Sequence, residues 1–254
     1  MTKAVKWAAM AAVAALVVVG LWVATREDTS AVLVQNAVAH PRPDGTLAVT
    51  LEMANAGAPV AFTGLTSPEA ARARVVGGGG PFVLPAGSEP SLALDGAHAL
   101  LEDLSGGMEA GRLIPLRLTF DDGAATARAR VSLPDAADPH AMHAAMGHVM
   151  TVEAGEMTLA MDVAQAGDGW LVRIDAPGLE FSADAADGAH VPGQGHGHLY
   201  LNGLKLQRVY TPELRIGALP PGTYELTLSL NANDHRAYAV DGTPLTATAT
   251  IEAR

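Results

Sequence analysis

The chain has 254 residues, with 16 Lys+Arg against 27 Asp+Glu for a formal net charge of −11, and no cysteine. With only three lysines it lacks the basic footprint a nucleic-acid binder needs to neutralise phosphates, and 49% apolar content excludes a wholly disordered chain. The missing cysteine removes disulfide scaffolds, thiol catalysis, Cys-ligated zinc, iron–sulfur clusters and any copper centre built on a Cys sulfur.

Lys3 and Lys6 precede an uncharged apolar run from Trp7 to Ala24, which Arg26, Glu27 and Asp28 close. These 18 residues make roughly 27 Å of helix, close to the hydrocarbon thickness of a bilayer. Residues 1–28 are therefore expected to be an N-terminal membrane anchor or signal sequence. The lysines favour a single pass through the inner membrane over residues 7–24, with the remainder in the periplasm. Secretion to the periplasm after cleavage is the alternative.

Beyond Ser30 the pattern is short strands with turn punctuation. A first strand is expected over Val32 to Val38, and Leu47 to Met53 alternates at period two before Asn55-Ala56-Gly57. Leu113 to Phe120 and Ala125 to Leu133 flank Asp121-Asp122-Gly123, a hairpin signal. The Gly77–Gly80 run before Pro81 lacks a Gly-Lys-Ser/Thr ending and reads as a loop, not a phosphate cradle. Further strands are expected over Glu156 to Val163, Trp170 to Ile174, His196 to Leu201, Lys205 to Tyr210, Thr223 to Leu230 and Leu245 to Ile251, with Asn202-Gly203 as a turn. The expected fold is all-β: two antiparallel sandwich domains, cupredoxin- or Ig-like, at 31–134 and 151–254, after an N-terminal transmembrane helix. Residues 135–150 would form a Met/His-rich linker.

Seven of the nine histidines follow residue 139, and five of the nine methionines lie between 142 and 161. His140, Met142, His143, Met146, His148 and Met150 put six imidazole or thioether groups in eleven residues. Soft thioethers with imidazoles suit Cu(I) better than Zn(II), and far better than Mg(II) or Ca(II). The competing reading packs the methionines as an apolar stripe. His196 and His198 are one residue apart, so a strand projects both from one face. Gly193, Gly195 and Gly197 would leave room for an ion or another chain segment. His235, in a turn after Asn233-Asp234, is a third candidate nitrogen, and His190 a weaker one. Three imidazoles could equally hold Cu(II) or Zn(II). Asp184 and Asp187 read as a solvated loop. No Gly-x-Ser-x-Gly elbow, His-Glu-x-x-His motif or cysteine nucleophile suggests an enzyme.

Leu47–Asn55, Ser67-Pro68, Pro85-Ala86-Gly87, Gly96-Ala97-His98 and Gly111 to Phe120 give residues 31–133 a pattern that resembles the periplasmic copper chaperone family called PCuAC. That family's His…Met…His-x-Met site is degenerate here. Its first His position falls near Val76, and its last motif reads His98-Ala99-Leu100. Residues 150–252, through Gly195 to Gly203 and Leu230 to His235, resemble a domain appended to such chaperones. The resemblances imply copper as ligand and a copper-enzyme acceptor or other copper-handling protein as partner. The ligands would then come from the linker and second domain. The rivals are an adaptor that transfers no metal and a zinc-binding exported protein.

Overall fold

The computed structural model describes residues 29–133 and 149–254. The expected anchor helix and the ligand candidates His140, Met142, His143, Met146 and His148 lie outside the described residues. Within them the chain is all-β, without a helix.

Residues 29–133 form β1 (Leu33–Pro41), β2 (Leu47–Ala54), β3 (Val60–Thr66), β4 (Ala70–Val76), β5 (Phe82–Leu84), β6 (Ser91–Leu92), β7 (His98–Leu104), β8 (Leu113–Phe120) and β9 (Gly123–Val131). One antiparallel sheet runs β1-β2-β7-β4. The other runs β9-β8-β3-β5, and a short parallel pairing of Val38 and Ala39 with Arg130 and Val131 joins the two edges. The period-two alternation of β2 and β8 sends Leu47, Val49, Leu51 and Met53 against Ile114, Leu116, Leu118 and Phe120. Each such side chain contributes roughly 1.5–3 kcal/mol on leaving water.

Residues 149–254 form β10 (Val149–Thr151), β11 (Ala160–Ala166), β12 (Gly169–Asp175), β13 (Glu180–Phe181), β14 (Gln194–Leu201), β15 (Leu204–Val209), β16 (Glu213–Ile216), β17 (Gly222–Ala232), β18 (Ala237–Val240), β19 (Thr243–Pro244) and β20 (Thr246–Ala253). β14 is flanked by β15 and β17, and β17 continues to β20 and β18. A separate three-stranded sheet, β11-β12-β16, packs Val172, Ile174 and Ile216 against Leu199, Leu201, Leu226 and Leu228. A smaller cluster of Met157, Leu230, Ala232 and Tyr238 takes Met150 and Val152 against it.

Some boundaries differ from expectation. The first strand runs on to Pro41, since Ala39 and His40 continue the pairing with β2. Residues 156–159 precede β11 instead of belonging to it, because Glu156 N–H closes a turn on the Glu153 carbonyl. Met150, placed by its sequence in a linker, is part of a strand that pairs in parallel with β18.

The two halves interlock. Leu204 of the second packs in the first core, and Val83 of the first packs in the second core. Backbone bonds run from Gly79 N to Asn202 O (3.2 Å), Ala97 N to Gly203 O (2.8 Å) and Ala86 N to Ala218 O (3.1 Å). The Asn202-Gly203 turn has φ of 50° and 89°, the left-handed pair that a two-residue hairpin requires. A side chain at Gly203 would meet the Gly77 carbonyl oxygen at 2.5 Å, so the glycine loop before Pro81 is the surface on which this hairpin seats.

Candidate metal centre

β14 is buried from Gly195 through Leu201, with no alternation in exposure. Its odd positions, Leu199 and Leu201, enter the second core. Its even positions, His196, His198 and Tyr200, share the other face, as period two dictates. His196 is 0% and His198 1% exposed, which is unusual for imidazoles and demands polar partners. His196 Nε2 lies 2.9 Å from His198 Nε2. His235 comes from the turn between β17 and β18, at φ 66°, and its ring centroid stands 5.0 Å from His196 and 5.7 Å from His198. One ligand nitrogen from each ring lies within 4.8 Å of the others. Among the described residues this is the one group of three or more His, Asp or Glu side chains arranged to hold an ion.

The glycines beside the histidines do not leave room for an ion. A methyl group on Gly197 would meet Leu228 Cδ1 at 2.9 Å and Val209 Cβ at 3.1 Å, and one on Gly195 would collide with the Asn231 carbonyl oxygen. Neighbouring chain fills that space.

Two carboxylates orient two of the rings. Asp95 Oδ2 lies 2.7 Å from His198 Nδ1 and also accepts from Lys205 Nζ at 2.7 Å and Tyr200 OH at 3.0 Å. Burial alone would raise the Asp95 pKa; the His198 hydrogen bond and the Lys205 charge outweigh it and hold the carboxyl well below the usual range. An ionised carboxylate only accepts, so His198 carries its proton on Nδ1 and presents the Nε2 lone pair to the cluster. Asp187 accepts from His235 Nε2 at 2.5 Å and from Arg208 at 2.9 Å, which places a His235 proton on Nε2. The Arg208 hydrogen bond leads in holding the Asp187 carboxyl well below its ordinary value. The loop of Asp184 and Asp187 is exposed, as expected, and Asp187 in addition braces a ring of the cluster.

Burial, then the nearby His198 and His235, lowers His196 to about 3. Burial lowers His198 to about 4, against the raising effect of the Asp95 hydrogen bond. Burial also leads the lowering of His235. All three rings are thus neutral at pH 7, the form that binds metals. His196 Nδ1 is buried with no hydrogen-bond partner in the protein.

A cleft of about 800 Å³ between the halves reaches the cluster from the His235 and Asp187 side. Val149, where the described residues resume after the Met/His segment, lines the same cleft.

Solved structures of PCuAC domains match the first half of the chain. The apo PCuAC domain from PmoF1 is 21% identical, with a TM-score of 0.38, over 43% of this chain and all of that one. The copper-bound PCuAC domain from PmoF2 is 20% identical, with a TM-score of 0.38, over 42% of this chain and 96% of that one. The N-terminal periplasmic domain of ScsB from Proteus mirabilis matches at 12% identity and a TM-score of 0.27, over 91% and 97% of the two chains. No family model and no curated protein matches. The PCuAC matches do not support the resemblance stated for residues 150–252.

The cluster does not lie in the PCuAC-like half. Val76 stands directly opposite His98 across β4 and β7, so the two positions expected to hold imidazoles are neighbours of which one is a histidine. His98 Nδ1 bonds the Gly96 carbonyl at 3.1 Å. His190 is outside the triad; its Nδ1 is buried without a partner, and its ring lies 6.3 Å from that of Tyr238. Sequence reasoning missed Asp95, Lys205 and Arg208. Tyr200, in phase with His196 and His198, was the one legible signal for the network beyond the rings.

Proposed function

We propose that this chain is a copper-binding protein whose resident site is His196, His198 and His235. The observation that carries the reading is the convergence of three neutral imidazoles, two of them braced by carboxylates. Imidazole sites bind Cu(II) ahead of Zn(II) in the general affinity order of divalent ions, and an all-nitrogen set of three leaves a coordination position open to an incoming donor. A copper carrier needs such a position, because transfer by ligand exchange requires the acceptor to bind before the donor lets go.

The Met/His stretch from His140 to His148 supports copper over zinc, since the thioethers of Met142 and Met146 favour Cu(I). In this reading the protein is held in the inner membrane by residues 7–24 and passes copper to a periplasmic copper enzyme or another copper-handling protein. The solved PCuAC domain from PmoF2 is copper-bound.

Titration of the full-length chain in detergent with Cu(I) and Cu(II) against competing chelators tests this. One equivalent of copper should bind through nitrogen donors, seen by electron paramagnetic resonance of the Cu(II) form, and His198→Ala should weaken it at least tenfold. Absence of copper binding would overturn the proposal and favour the adaptor. Zinc retained against copper at this site would make it a zinc protein instead.

A further inference from the structure

Asp95 belongs to the first half, and its partners His198, Tyr200 and Lys205 all belong to the second. It sits in a closed turn in which Gly96 N–H bonds the Ala93 carbonyl at 2.9 Å and Ala93 N–H bonds the Ala97 carbonyl at 2.8 Å. That turn is pinned to the second half by Ala97 N to Gly203 O, and a side chain at Gly96 would meet Gly203 O at 2.8 Å. Ser91 on β6 pairs with Lys205 on β15, so the strands on either side of the carboxylate are also in register.

From this placement we infer that Asp95 is a positioning residue for the metal centre, and that metal binding in the second half is coupled to docking of the first half. The inference rests on the His196, His198 and His235 reading. Only with the Asp95 turn seated is His198 held as the Nδ1–H tautomer, with Nε2 facing His196. When the turn lifts, His198 regains rotation and tautomer exchange, and Lys205 loses its counter-ion beside the rings. Coupling is reciprocal: what seats the turn favours the ion, and the ion favours the seated turn. The first half, though without a group of three His, Asp or Glu side chains of its own arranged to hold an ion among the described residues, thereby controls the site. An acceptor that pries the halves apart would loosen the ion without competing for every ligand.

The test uses the full-length protein with Cu(I), Cu(II) and Zn(II) as separate probes. Asp95→Ala should weaken binding roughly 10–100-fold, as loss of an outer partner of a metal-bound histidine does. Asp95→Asn, which keeps an acceptor oxygen, should recover part of that loss. Glu89→Gln, a carboxylate change in the same cleft, should leave affinity unchanged. Long-range ¹H–¹⁵N spectra of the metal-free protein should show His198 as the Nδ1–H tautomer in wild type and a mixture in Asp95→Ala. In wild type, metal should slow hydrogen exchange at the amides of Gly79 and Ala97, which bond across the halves, and this measurement needs no variant. Unchanged protection at those amides, or unchanged affinity in Asp95→Ala, would overturn the coupling. If no probe binds wild type, the metal reading itself falls, while the tautomer spectra still decide whether Asp95 orients His198.

Discussion

His196 has no carboxylate of its own, and its neutrality comes from burial and from the two rings beside it, which hold its pKa at about 3. The same imidazole in an unfolded chain titrates near 6.5. As pH falls below that value the unfolded state takes up a proton that the native state refuses, so acid favours unfolding. The contributions of His196 and His198 are complete above about 6.5 and drain away as pH falls toward their folded values of about 3 and about 4. Asp95 and Asp187, both held below the ordinary carboxylate range, act in the same direction but begin lower, as pH passes under roughly 4. The melting temperature of the metal-free protein should therefore fall steadily from pH 7 to pH 4. His196→Gln should flatten the upper part of that slope, and a melting temperature that rises on acidification would contradict the buried neutral cluster. Met150 poses a separate question at this scale. Its side chain packs on the cluster of Met157, Leu230, Ala232 and Tyr238, so Met150→Leu should cost under about 1.5 kcal/mol and leave copper affinity unchanged.

At the scale of elements, β14 is the strand on which the site depends, and its glycines are as specific as its histidines. Gly197→Ala forces a methyl group onto Leu228 and Val209, an overpacking that should cost about 1–3 kcal/mol in urea denaturation. The strand would have to shift to admit it, so copper affinity should fall too, although no ligand has changed. Gly195→Ala, against the Asn231 carbonyl, should be the worse of the two. The sequence carried part of this strand openly. The His-x-His spacing put two rings on one face, Asn202-Gly203 announced the turn, and Asn233-Asp234 before His235 announced another. What the glycines make room for was illegible, because the contacts come from β15 and β17 at distant positions. Asp95 was illegible for the same reason: it lies 105 residues from Tyr200, and nothing local marks a carboxylate that closes a contact between halves. Asp187 is the solvated loop carboxylate its sequence suggested, but its bracing role was illegible, because only the fold brings Arg208 and His235 to it.

Across the whole molecule, the exchange of Leu204 and Val83 between cores makes the halves poor candidates for independent unfolding. Leu204 is fully buried in a core that is otherwise made from the first half, so Leu204→Ala should cost roughly 2–5 kcal/mol. Its effect should fall on one shared transition, since the cavity lies in one half and the backbone that positions the residue in the other. Copper should act on the same transition from the opposite side. An ion at 100 times its dissociation constant that binds only the native state stabilises by about 2.7 kcal/mol, which in a chain of this size raises the melting temperature by roughly 5–10 °C. If the site were private to the second half, copper would still raise this shared transition, but Leu204→Ala would leave copper affinity unchanged. If Asp95 joins site to interface, Leu204→Ala should instead weaken copper binding, because it loosens the seating of the hairpin that meets the Asp95 turn. Measuring the Leu204→Ala melting curve with and without copper therefore separates a metal site that merely sits in one half from one that the two halves build together.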